Sequence, residues 1–233
     1  MGQQFERVVD ELAARRDVGC VVITGAGRAF SAGGDLDFLQ ERAFRSTPEE
    51  NTNAMRAFYG RYLLPLRRLP MPVVAAVNGV AVGAAFALAM AADIRIVAES
   101  AKVSVNFTKL GLHPGMGATF VFPRTVPREV ANYMLLTGRQ VDGREARELG
   151  LCLKCVPDAE CLAEATSIAK EIAANGRLSV LQTKESLDSQ WEAGMERQLR
   201  READAQAISY VDDAFRKTIT DLVARSSKQK SKL

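Results

Sequence analysis

Histidine and tryptophan are nearly missing from this chain: its 233 residues include one of each, His113 and Trp191, and aromatic residues make up only 6%. A single histidine leaves no set from which a histidine-based metal centre could be built. Cysteine is sparse as well. Cys20, Cys152, Cys155 and Cys161 fit a reducing compartment better than a disulfide framework. Cys152-Leu-Lys-Cys155 has the spacing of half a zinc or redox motif, but no second pair exists, and it reads instead as a strand with alternating faces. Charge of one sign is not in excess either, with a net +3 on 31 basic and 28 acidic residues. Much of that surplus sits in the tail from Arg225 to Lys232, which argues against a nucleic-acid surface. No stretch supplies the roughly eighteen uninterrupted apolar residues of a membrane helix. The nearest approach, Pro72 to Ala92, is laced with Gly, Ala and Asn and broken by a turn at Asn78-Gly79. The amino terminus, Met-Gly-Gln-Gln-Phe-Glu-Arg, has no apolar signal core and puts Glu6 where a myristoylation signal has Ser or Thr.

Hydrophobic residues are plentiful at 47%, enough for a large core in one elaborated domain or one domain plus an appendage. Phe5, Val8, Val9, Leu12 and Ala13 follow the i, i+3, i+4 rule of a helix, and Gly19 to Thr24 reads as a buried strand. Arg42 to Leu69 is polar with helical spacing and opens at the capping sequence Ser46-Thr-Pro-Glu-Glu50. A strand is predicted at Pro72 to Val77, a small-residue helix after the Asn78-Gly79 turn, another strand at Ile94 to Glu99, and a short extended piece at Val103 to Gly111. Helices are predicted at Glu129 to Thr137, Asp142 to Leu149 with Asp142 as cap, and Asp158 to Ala174, with a strand at Leu151 to Val156. Three more follow at Ser179 to Trp191, Glu196 to Tyr210 and Asp213 to Arg225. Strand-helix alternation up to residue 157 predicts an α/β fold with parallel pairings, and the remainder a helical appendage.

The chemistry lies in two glycine-bearing bends. The run Asn78-Gly79-Val-Ala-Val-Gly83-Ala84-Ala-Phe-Ala87 puts a helix short of bulky side chains directly after a turn. The first N–H groups of a helix have no acceptor within it, so a Gly-Ala start leaves bare donors facing whatever binds there. An oxyanion hole is built from backbone in this way. The other bend, Gly25-Ala-Gly27-Arg-Ala-Phe30, resembles the start of a dinucleotide fingerprint, but Phe30 stands where the third glycine belongs and Ser31-Ala-Gly-Gly34 delays the helix. A nucleotide-dependent oxidoreductase is therefore a distant reading.

Taken together, Ile23-Thr-Gly-Ala-Gly-Arg-Ala-Phe-Ser-Ala-Gly-Gly-Asp-Leu36 and the stretch from Pro72 through Asn78-Gly79 and Gly83-Ala84 to Asp93 resemble the enoyl-CoA hydratase/isomerase (crotonase) superfamily. Leu110-Gly-Leu-His-Pro-Gly-Met-Gly117, Leu136-Thr-Gly-Arg139, Ala146 to Leu151 and Val156-Pro-Asp158 continue the likeness in order. The resemblance implies a crotonase-like spiral of ββα units over residues 1–176, a C-terminal helical oligomerisation region over 177–227, and a basic tail over 228–233. It implies a homotrimer or dimer of trimers, and a CoA thioester as substrate with no tightly bound cofactor and no metal. In this family two backbone N–H groups hold the thioester oxygen, and the matching positions are Gly34 and Ala84. Ala32, Gly34 and Leu36 match the stretch whose backbone contacts the adenine end of CoA. Asp93 matches a structural residue at a helix end.

Two departures stand out. The family usually begins with a strand pair, whereas this sequence starts at the following helix: either the strands were lost or the true start lies upstream, and a core face is expected to be uncovered unless another part of the chain or a partner fills it. Family hydratases also carry two glutamates that move the protons of hydration, and the matching residues here are Ala87 and Phe107, neither of which can do so. The titratable residues nearby in the pattern are His113, Asp35, Asp37, Glu49 and Glu50. Of these His113 alone has an ordinary pKa near neutrality, and it reads either as a substitute proton carrier or as a side chain satisfying a loop carbonyl. The implied function is an enzyme of the lyase or isomerase class on an enoyl-, malonyl- or aryl-CoA, or a binding homologue that holds acyl-CoA without turnover. The ending Ser231-Lys232-Leu233 is the peroxisomal import tripeptide. With an acyl-CoA ligand it predicts import into a peroxisome or peroxisome-like organelle through the import receptor.

Overall fold

The computed structural model describes residues 2–230, so the import tripeptide at 231–233 lies outside the described residues. The chain opens with α1 (Gly2–Ala14), β1 (Val21–Thr24), β2 (Ala29–Ser31), α2 (Leu36–Phe44) and α3 (Pro48–Arg67). Then follow β3 (Val73–Val77), β4 (Val80–Val82), α4 (Ala84–Met90), β5 (Ile94–Ala98) and β6 (Lys102–Ser104). After these come α5 (Ala118–Thr125), α6 (Arg128–Thr137), β7 (Gln140–Asp142), α7 (Gly143–Glu148), β8 (Lys154–Val156) and α8 (Cys161–Ala173). Three helices close the described chain: α9 (Arg177–Asp188), α10 (Glu192–Tyr210) and α11 (Asp213–Lys230).

The strands form two four-stranded sheets that the chain visits alternately. One has the order β1-β3-β5-β8 and is wholly parallel; the other has the order β2-β4-β6-β7, with only the β6–β7 pair antiparallel. Each passage places one strand in each sheet and returns by helix, so β1-β2, β3-β4 and β5-β6 are successive turns of a ββα spiral. β3 is buried at every position because parallel neighbours flank it and α8 packs across β1, β3 and β5, which explains its unbroken Val-Val-Ala-Ala-Val. β1, at the sheet's edge, is only half-buried.

The polar helix opens at the predicted capping sequence, and a separate helix not predicted from the sequence precedes it. α2 ends at Phe44, and α3 restarts at a capping box in which the Thr47 hydroxyl accepts from the Glu50 N–H (3.2 Å) while Glu50 accepts from the Thr47 N–H (2.7 Å). Asp142 caps α7 as predicted, accepting from the Glu145 N–H at 3.0 Å. Asp93 is tied to three elements: it accepts from the Val73 N–H (2.7 Å), Arg67 (3.2 Å) and Lys184 (2.9 Å). Lys184 in turn pairs with Asp188 at 2.9 Å, so a shielded ion cluster fastens α9 to the end of α3 and the start of β5. The remaining helices lie on the spiral, α10 along α3 and α11 against α2. No helix among the described residues is long and apolar enough to cross a membrane.

Candidate active site

β2 and β4 run parallel with Ala29 opposite Val80 and Ser31 opposite Ala81, with the register shifting between Ala29 and Ser31. Both chains therefore leave the sheet at the same end, one carrying Ala32 to Gly34 and the other Gly83 and Ala84. The two bends touch. Gly33 has φ +91°, and a Cβ there would lie 2.6 Å from the Val82 carbonyl oxygen, so only glycine lets the first bend approach the second. Behind them Asn78 stitches the Gly25–Gly27 turn to the end of β3, donating to the Gly25 and Gly27 carbonyls (3.1 and 2.9 Å) and accepting from the Gly25 N–H (3.1 Å).

Gly83, at φ +60°, donates its N–H to the Ser104 carbonyl (2.8 Å), and α4 begins at the next residue. The first bond of α4 runs from the Ala87 N–H to the Gly83 carbonyl (3.0 Å), and no side chain caps the helix. Among the described residues no acceptor takes the N–H of Ala84 or that of Gly34. Two unpaired amides thus belong to two bends in contact. Ala87 lies one turn into α4, fully buried. The Phe107 ring comes within 3.9 Å of where a Gly83 Cβ would stand and is itself buried. The structure therefore brings Gly34, Ala84, Ala87 and Phe107 to one place. Ala32 and Gly34 are exposed and Leu36 half-buried, leaving an open surface beside the bend. Asp35 caps α2 through the Asp37 and Phe38 N–H groups (2.9 and 3.2 Å).

His113 sits in the next loop, tied to α10. Its N–H donates to the Ser209 hydroxyl (3.2 Å) and its carbonyl accepts from Gln206 (2.8 Å). Its Nδ1 lies 2.7 Å from the Pro114 carbonyl. A carbonyl only accepts, so Nδ1 carries the ring proton and Nε2 presents a lone pair. Burial, aided by the positive charge of Arg201, lowers the His113 pKa against the effect of the Pro114 bond, which keeps the ring neutral near pH 7. The described contacts of His113 run to its own loop and to α10, and none joins it to Gly34 or Ala84. Of the cysteines, Cys155 falls on β8 and Cys152 just ahead of it. Burial pushes the Cys152 and Cys161 thiols up to about 11, away from reactivity.

Glu202 was not singled out by the sequence reading. It is fully buried on α10 and accepts from the Gly117 N–H (2.7 Å), the Thr119 N–H (2.9 Å) and the Thr119 hydroxyl (2.5 Å), closing the start of α5. Gln198, Glu202, Gln206 and Ser209 share one face of α10 and fasten the whole 113–119 loop. Their helical spacing alone does not set them apart from a solvated polar face; the packing of α10 on α3 does. Burial pushes Glu202 up to about 7 from 4.5, against those three hydrogen bonds. Below 4.5 native and unfolded chains both hold the proton; between 4.5 and about 7 only the native chain does. This group's contribution to stability therefore declines as pH rises through that window, by about 3 kcal/mol in all. Glu202→Gln, which does not titrate, is expected to flatten the stability curve between those pH values in chemical denaturation. An unchanged slope would contradict the assignment.

The model of the family described as enoyl-CoA hydratase/isomerase matches residues 2–229. The chain belongs to that family. It is 32% identical over 229 residues to the 1,2-epoxyphenylacetyl-CoA isomerase of Escherichia coli, covering 98% of this chain and 87% of that one. With an enoyl-CoA hydratase of Mycobacterium tuberculosis it shares 34% identity over 180 residues, 77% of this chain and 65% of the relative. The solved structure of an enoyl-CoA hydratase/isomerase from Mycobacterium paratuberculosis superposes with a TM-score of 0.84 at 32% identity, over 94% of this chain and 86% of that one. The spiral of ββα turns is thus the crotonase fold, and the substrates of the enoyl-CoA hydratase/isomerase family are CoA thioesters.

Proposed function

We propose that this protein binds an acyl-CoA with the thioester oxygen between the N–H groups of Gly34 and Ala84, and acts on it by stabilising the enolate that forms when the α-carbon loses a proton and is consumed when that carbon regains one. The observation that carries this reading is the pair of amides without acceptors on two touching bends. Donors held in place at a developing oxyanion need no reorganisation as charge builds, and each is worth roughly 10²- to 10³-fold in rate. The exposed backbone from Ala32 to Leu36 takes the adenine end of CoA. Standard hydration is not the favoured chemistry, because Ala87 and Phe107 replace the two proton carriers with apolar groups. His113, neutral and with Nε2 free to accept, is the proton carrier assigned to the site, and its place in the adjoining loop is set by α10. The apolar pair Ala87 and Phe107 equally suits a second reading, an acyl-CoA-binding homologue without turnover. A homotrimer or dimer of trimers, and delivery to a peroxisome through Ser231-Lys232-Leu233, complete the proposal.

Acyl-CoA thioesters are expected to raise the melting temperature in proportion to the logarithm of their concentration, since they bind only the native chain, while the free acids do not. Lack of stabilisation by every CoA species would remove both readings. Turnover by the wild type that falls in His113→Ala, with binding retained, selects the enzyme.

A further inference from the structure

Two buried side-chain atoms are left without a hydrogen-bond partner among the described residues, and they belong to neighbours: Nε of Arg42 and Oδ1 of Asn51. Arg42 is 9% exposed and Asn51 not at all. Native interiors leave few such groups, and each calls for a reason. Among the described residues Arg42 has its one charge partner in the preceding residue, Glu41, whose side chain is exposed. Its guanidinium lies 5.4 Å from the centre of the Phe38 ring, an arrangement that holds the group in place while leaving Nε unspent. Asn51 donates through Nδ2 to the Arg42 carbonyl at 3.0 Å. That carbonyl only accepts, so the amide orientation is fixed and Oδ1 is the free end. Beside them the buried Tyr210 hydroxyl has only the Met55 sulfur, a weak acceptor, at 3.5 Å. Arg42 is near enough for its charge to oppose the rise that burial gives the Tyr210 pKa.

The position of this cluster relative to the site follows from α2. Leu39 packs against Gly34, 3.6 Å from where its Cβ would be. Residues three apart share a helix face, so Arg42 continues the face that Leu39 begins, about 4.5 Å farther from the oxyanion bend. An acyl chain whose carbonyl sits at Gly34 and Ala84 and which follows α2 past Leu39 arrives at Arg42 and Asn51.

We infer that Arg42 and Asn51 form the distal end of the acyl pocket and select a CoA thioester bearing a hydroxyl part-way along its acyl group. This rests on the acyl-CoA reading above and names its substrate class. A hydroxyl accepts from Nε and donates to Oδ1, satisfying both atoms at once. A plain alkyl chain leaves both unpaired, and a carboxylate accepts from Nε but leaves Oδ1 of Asn51 facing a second acceptor with no proton between them. Sites built to hydrogen-bond a hydroxyl reject the analogue lacking it because their own polar groups then go unpaired.

The test is a titration of the full chain with hexanoyl-CoA, its 3-, 4-, 5- and 6-hydroxy derivatives and adipoyl-CoA. One hydroxy isomer is expected to bind about ten-fold or more tighter than hexanoyl-CoA, and tighter than adipoyl-CoA. In Arg42→Met and in Asn51→Leu the preference is expected to vanish, the hydroxy isomer losing its advantage over hexanoyl-CoA. Equal binding of hexanoyl-CoA and every hydroxy isomer by the wild type would overturn the inference whether or not the variants fold. A preference unchanged in both folded variants would do so too. Failure of all six thioesters to bind removes the acyl-CoA reading itself, and this inference with it.

Discussion

Replacing Ala84 with proline is expected to cut turnover of any CoA thioester the wild type uses by about 10²- to 10³-fold, the usual worth of one oxyanion donor, without unfolding the chain. Ala84 is the first residue of α4, where the fixed φ of proline suits a helix and the lost N–H has no acceptor in the helix to lose. The residue before it is Gly83 at φ +60° and ψ −121°, the mirror image of the extended conformation that normally precedes proline, and open to glycine. The change therefore removes one hydrogen-bond donor and puts ring carbon where the hydrogen was. A readout independent of turnover is the carbonyl stretch of a bound 13C-labelled thioester. Two hydrogen bonds are expected to lower its frequency in the wild type, and Ala84→Pro to return it most of the way to the value in water. Wild-type turnover and an unaltered stretch in a folded Ala84→Pro protein would show that this amide holds nothing.

Crotonyl-CoA hydration by the wild type is expected to run at least about 10⁴-fold below that of a hydratase with both glutamates, since general acid and base groups contribute about 10²- to 10⁴-fold each. Hydration needs a water held, deprotonated and added at one carbon while a proton reaches the other. Ala87 is a methyl group sealed inside α4, and Phe107 is a buried ring against Gly83. Their surroundings disfavour a held water as well as lacking a proton carrier, because an ordered water needs two or more polar partners. Ala87→Glu with Phe107→Glu is expected to lower stability by burying carboxyls, yet to retain CoA binding, which is proposed to use backbone at residues 32–36. An assay following the ultraviolet absorbance of the conjugated thioester would measure the rate. Rapid wild-type hydration would overturn the account of these two positions.

The long elements could be read from the chain because their pattern is long enough to show a period. β3 is an unbroken apolar run, and α1, α6, α10 and α11 carry helical spacing over ten residues or more. β2, β4 and β7 could not, since each has three residues and no periodicity survives at that length. The strand β4 lies hidden inside what reads as the start of the small-residue helix, so α4 begins at Ala84, well after the turn at Asn78-Gly79. α5 was missed for a different reason. It follows Gly117 in the left-handed region and contains Pro123, both signals of a break, yet Glu202 from a distant helix supplies the cap that the local sequence lacks. The same limit applies to the site. Glycine bends announce close approach of backbone, so the contact between the two bends was legible. Glu202, Arg42 and Asn51 read as members of solvated helix faces, and only the packing of α10 on α3 and of α11 on α2 shows what is enclosed.

The most direct test of the central claim is a crystal structure of the full chain with a non-hydrolysable acyl-CoA analogue that keeps the carbonyl. The expected result is a carbonyl oxygen within about 3.2 Å of both the Gly34 and Ala84 nitrogens, the reach of an N–H donor, with the adenine along residues 32–36. A carbonyl bound elsewhere, or either amide already paired with a protein oxygen, would contradict it.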